Sequence, residues 1–165
     1  MSTLRKNTPQ ILLDLFRDNF KEQGPFKGFR EGDPIIPAQS ILPALFISEK
    51  QTNYKLGPTG FDEVEHQIII QVVYNKKDDF GKPDEASSLD KTLDDITQGR
   101  DETTNEFLPN TIMGILRKHY TMGSLTIQSI GSVKKGVVPR SETLVTAEAH
   151  VELTIDELIP ITGRS

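Results

Sequence analysis

The chain has 165 residues, of which 35% are hydrophobic and 26% charged, with a formal net charge of −5 and no cysteine. That length suits one domain large enough to bury a real core. The missing cysteine excludes a disulfide framework, a thiol nucleophile and a thiolate metal site, and the acidic balance argues against broad nucleic-acid binding, which needs a positive field.

The opening residues Met1–Lys6 lead into a polar turn rather than an apolar run, so no signal peptide is expected. No stretch approaches the ~18 apolar residues of a membrane span. A soluble protein inside the cell is the expectation. Thr8-Pro9 then opens a helix, with a hydroxyl for the N-cap and a proline where its missing N–H costs nothing. Leu12, Leu15, Phe16 and Phe20 follow at helical spacing, and Gly24-Pro25 ends the stripe. From Pro25 to Pro43 four prolines predict an extended connector along the domain.

Ala44–Ile47 reads as a short strand and Ser48–Asp62 as a polar loop turning at Gly57-Pro58-Thr59-Gly60. Val64–Tyr74 is a stronger strand, with Ile68, Ile70, Val72 and Tyr74 on one face and Ile69, Gln71 and Val73 on the other. Between Asn75 and Glu106 ten acids stand against five bases, leaving 14 of each elsewhere, so the net charge resides in this one segment. It can be a solvated loop, as its polar composition allows. Leu89, Leu93 and Ile96, following Ser87-Ser88, also form a capped helical stripe, which suits an arm that docks on a neighbour.

Leu108, Ile112, Ile115, Leu116 and His119 predict a second helix with Pro109 near its start, ended by Gly123. Ser124–Ile130 reads as a strand and Gly131–Gly136 as a turn. Val145, Ala147, Ala149, Val151, Leu153 and Ile155 alternate with Thr146, Glu148, His150, Glu152 and Thr154, the pattern of an antiparallel strand with one buried and one wet face. The sum is a single α+β domain over 1–165: a mostly antiparallel sheet of four to five strands, two helices on one face, and the long acidic insertion at 75–106.

Candidate chemistry is sparse. Glu148, His150 and Glu152 share a strand face and could converge on a metal, but residues two apart on a strand lie nearly 7 Å apart, so a polar surface row is the expectation. His66 and His119 have no companion cluster in sequence, and no nucleophile-elbow motif accompanies them. Gly57–Gly60 and Gly131–Gly136 lack P-loop spacing, and Lys134 and Lys135 read as a solvated hairpin tip. No catalytic residue, metal or cofactor is expected.

This order of elements resembles the tail terminator proteins of long-tailed, non-contractile bacteriophages. The likeness runs through the Thr8–Phe20 helix, the Pro43–Ile47 strand, the Val64–Tyr74 strand leaving a long polar loop, the Leu108–Tyr120 helix and the closing strand pair. It rests on topology, since no signature motif defines the family. The resemblance implies a small α/β subunit of a homohexameric ring on the end of the tail tube. That ring stops tube growth, docks the head-completion or neck protein, and lets DNA pass without specific binding. It implies residence in the virion tail after assembly in the host cytoplasm, and no catalytic residues. Subunit or tube contacts are expected at Tyr54 and Lys55 in one loop and at Asp78, Asp79, Leu89, Leu93, Asp94 and Asp95 in the insertion. A head–tail connector or neck protein is the nearest alternative; a small metal- or ligand-binding enzyme using the Glu148, His150, Glu152 face is the competing class.

Overall fold

The computed structural model describes residues 3–20, 24–57, 60–78 and 88–161. Its helices are α1 (Thr8–Phe20), α2 (Ser88–Gln98) and α3 (Ile112–Lys118). Six strands form one sheet: β1 (Gly28–Glu31), β2 (Ala44–Lys55), β3 (Phe61–Asn75), β4 (Thr121–Met122), β5 (Leu125–Pro139) and β6 (Val145–Pro160). They lie in the order β1-β2-β3-β6-β5-β4, with β1 parallel to β2 and every other pair antiparallel. The fold is therefore α+β with a mixed sheet. The described residues form six strands and three helices, where the sequence pattern predicts four to five and two.

Helix α1 begins as its stripe predicts, but Asn7 is the cap. Its side chain accepts from the Gln10 N–H at 2.9 Å while the Gln10 side chain accepts from the Asn7 N–H at 3.1 Å, a reciprocal capping box contributing about 1 kcal/mol. Leu12 and Phe16, both 0% exposed, seat the helix on the sheet. With Leu45, Ile47, Ile68, Ile70, Val72, Val151, Leu153 and Ile155 they form the main core, to which α2 adds Leu89 and Leu93 and α3 adds Ile112, Ile115 and Leu116. All three helices thus cover one face of the sheet.

Helix α2 confirms the stripe read in the acidic segment, but it docks on its own chain. Leu89 and Leu93 are 4% and 1% exposed in that core, so they are not a free surface for a neighbour. Helix α3 is shorter than predicted. Thr111 caps it by accepting from the Gly114 N–H at 3.0 Å, and Leu108-Pro109 lies outside it. A Cβ on Gly114 would stand 2.0 Å from the Leu108 carbonyl oxygen, so the incoming chain can cross the helix only there.

Two predicted loops are strand. Ser48–Lys55 continues β2, pairing with β3 from Glu63 to Ile69 around a bulge between Glu49 and Gln51, so the expected Ser48–Asp62 loop shrinks to a hairpin end. Gly131–Gly136 lies inside β5, with Gly131 at a bulge and Ser132–Gly136 in register with β6, and the turn falls at 140–144. Part of the predicted connector is also ordered, as β1 and a 3-10 turn at Gln39–Ile41.

Among the described residues, the second face of the sheet is covered only at one end. Leu42, Ala44, Phe46, Val73 and Leu144 make a small core there, and the connector residues Pro34 and Pro37 are buried. The polar row of β6 is correspondingly divided: Thr146 and Glu148 are 0% and 1% exposed, whereas Glu152 is exposed. The wet face predicted for β6 holds only for its far half.

Candidate functional site

Two polar clusters and a set of open surfaces remain once the core is assigned. The first cluster centres on His66. Strand parity puts His66 on the helix-covered face with Ile68 and Ile70, and Glu157 on that face with Leu153 and Ile155. Glu49 of β2 hydrogen-bonds His66 Nδ1, and Glu157 Oε1 lies 2.9 Å from Nε2. Thr52 donates to Glu49 at 2.6 Å, Ser124 to Glu157 at 3.0 Å, and Arg5 pairs with Glu157 at 2.9 Å. Burial raises the Glu157 carboxyl, but the bonds from His66 and Ser124 and the Arg5 charge outweigh it and hold the pKa below the usual range. With a carboxylate against each ring nitrogen, His66 presents no open nitrogen to a metal or a nucleophile. The cluster therefore ties the segment before α1 to β2, β3, β6 and the turn between β4 and β5.

The second cluster lies on the other face. Arg140 grips Glu148 with two bonds, Nε to Oε2 at 2.9 Å and Nη2 to Oε1 at 2.6 Å, and its Nη1 donates to the Pro34 carbonyl. Thr146 donates to the same carboxylate, and His150 Nε2 sits 2.8 Å from Oε1. Burial would raise this carboxyl; the bonds from His150, Arg140 and Thr146 and the Arg140 charge instead hold it at about 2. Glu148 and His150 do meet, as a metal reading requires. Arg140, however, occupies the carboxylate, and among the described residues no three His, Asp or Glu side chains are grouped to hold a metal.

The residues expected to make assembly contacts scatter. Tyr54 is 68% exposed at the end of β2, with Lys55 beside it. Asp94 bonds Lys135 of β5 at 2.8 Å, and Asp95 bonds Lys91 at 2.9 Å on the surface of α2. Asp78 ends a 3-10 turn, and Asp79 lies outside the described residues.

Exposed apolar side chains gather at both ends of the strands. At the β2–β3 hairpin end stand Tyr54, Leu56, Phe61 and Leu158, 68%, 74%, 46% and 53% exposed. A groove of roughly 1390 Å³ opens there, lined among others by Tyr54, Phe61, Glu65, Ser124 and Leu158. At the other end Val137 and Val145 flank the β5–β6 turn, and Ile35 and Ile36 extend from the connector that Arg140 ties to that turn. Strand β6, with 16 residues, separates the two patches by roughly 40 Å.

Parity along β3 and β6 is the sequence signal that could have found the His66 cluster, because it puts polar His66 and Glu157 at core positions. No protein-family model matches the chain, and no curated protein shows significant similarity to it.

Proposed function

We propose that this chain is a structural assembly protein, the tail terminator of a long-tailed bacteriophage. It works as a homohexameric ring that caps the tail tube and docks the head-completion or neck protein. The observation that carries the reading is the pair of unlike apolar patches at opposite strand ends. A terminator has one axial partner on each side, the tube and the head, and needs a different surface for each. Tyr54, Leu56, Phe61 and Leu158 supply one; Ile35, Ile36, Val137 and Val145 supply the other.

The polar clusters fit this role better than an enzymatic one. Both His66 ring nitrogens and all the Glu148 oxygens are engaged in tying elements together, which stiffens a subunit rather than opening a reactive centre. The net charge of −5 suits a ring through which DNA slides without specific binding. The natural setting is the virion, at the head-proximal end of the tail. Light scattering after size exclusion, at high protein concentration, is expected to give six times the monomer mass. A dimer or other small oligomer stable at all concentrations contradicts the hexamer.

A further inference from the structure

The sheet ends sideways in two long edges that no described strand covers. On one side β4 pairs only with Leu125 and Thr126, and Tyr120 accepts from Ile127, so β5 lacks a neighbour from Gln128 onward. On the other side β1 pairs only with Ala44–Ile47, so Ser48–Lys55 of β2 lacks one. Free edges of this length are templates for another strand and are normally shortened, covered or charged.

The β5 edge is defined at both ends. Bulges between Ile127 and Ser129 and between Ile130 and Ser132 disrupt one end, and Pro139, which has no N–H, closes the other. Between them the ladder is regular. The Arg140 N–H points to β6, donating to Leu144 at 2.9 Å, and Val138, Gly136 and Lys134 follow by alternation. The N–H groups of Val133, Lys135 and Val137 therefore face outward.

We propose that the β5 edge of one copy, Val133–Val138, pairs antiparallel with the free edge of β2, Ser48–Lys55, in the next copy. This joins the sheets head to tail, and it rests on the ring reading above. Three observations select a second copy as the occupant. The two edges are on opposite sides of one sheet, which is what a heterologous, ring-closing contact needs. Three antiparallel steps separate β2 from β5, so rotation about an axis along the strands brings them together in opposite senses, as elsewhere in this sheet. Charge also matches. Lys134 stands on the helix-free face of β5; on that same face, behind the β2 edge, Glu63, Glu65 and Asp156 outnumber the one lysine beside them, Lys55, which lies 3.9 Å from Glu63. Burial and the neighbouring Glu65 and Glu63 charges raise the Asp156 carboxyl, so this acidic group gains from a cation brought by a neighbour.

Amide hydrogen exchange of the full chain, compared between dilute monomer and concentrated oligomer, tests the pairing. The expected result is slowed exchange on assembly at Val133, Lys135 and Val137 and along Ser48–Lys55. The variant Val137→Pro removes an outward N–H at a position 58% exposed, so it should keep the monomer fold by circular dichroism and lose the oligomer. An oligomer whose β5 amides exchange as fast as in the monomer, or a Val137→Pro chain that still assembles, overturns the edge pairing and leaves the ring standing. A wild-type chain monomeric at every concentration overturns self-pairing, while capping of tube ends tests the terminator reading separately.

Discussion

Replacing Arg140 by methionine is expected to lower the unfolding free energy by about 3–5 kcal/mol, because it leaves the Glu148 carboxylate buried without its cation. In a chain of this size that corresponds to a fall in Tm of roughly 10–15 °C. Arg140 and Glu148 are 12% and 1% exposed in their side chains, so water does little to screen the loss. The guanidinium also holds the Pro34 carbonyl, so the connector should loosen from the sheet along with the ion pair. Arg140→Lys restores charge without the two-bond grip and should recover only part of the loss. The pH dependence has a definite sign. The Glu148 carboxyl is lowered in the folded state from 4.5 to about 2, so its contribution is complete above about pH 4.5 and disappears as pH falls toward 2. In Arg140→Met that acid limb should move to higher pH. Urea unfolding at a series of pH values reads both effects; a variant within 1 kcal/mol of wild type at pH 7 would contradict the role assigned to the pair.

The second large effect is expected at His66. Alanine there removes the group between Glu49 and Glu157 and sets two carboxylates toward the same space, at an expected cost of about 2–4 kcal/mol. Arg5 and Ser124 still reach Glu157, so the loss should be smaller than at Arg140. Glu157 has a lowered pKa in the fold, so its contribution is present above its unfolded pKa and is lost as pH falls through the folded one. Losing the His66 bond moves that loss to higher pH. The variant should also release the segment that Arg5 anchors, which limited proteolysis detects. Wild-type stability together with an unchanged acid limb would show that the cluster carries no structural load.

Which parts of this architecture could be read from residues follows from how local each signal is. The stripe Leu12, Leu15, Phe16, Phe20 and the alternation of β6 are contiguous patterns, and both became the elements they suggest. Leu89, Leu93 and Ile96 were equally readable as a helix, but periodicity does not say against which surface a stripe is buried, and here it is the chain's own sheet. The outer halves of β2 and β5 were hidden for one reason. Ser48–Lys55 and Gly131–Gly136 are edge segments with few apolar residues, because a strand paired on one side and exposed on its faces has little to bury. The ordering of β1 depends on a parallel pairing with β2, which no window shorter than that separation can show. The polar clusters were least legible. Glu49, His66 and Glu157 meet across 17 and 91 residues of sequence, and Arg140 reaches Pro34 across 106. Only the parity of His66 and Glu157 among core positions hinted at them.

These features fit one division of labour. Buried polar ties stiffen the fold, free edges face sideways, and apolar patches face along the strands, which on the terminator proposal are the surfaces for tube and head. The most direct test is growth of tail tubes from purified tube protein with and without this chain, followed by electron microscopy. A terminator predicts tubes bearing one added ring at a single end, with elongation stopped there at one ring per tube. Tubes that keep growing with both ends bare, in the presence of excess folded protein, would contradict it.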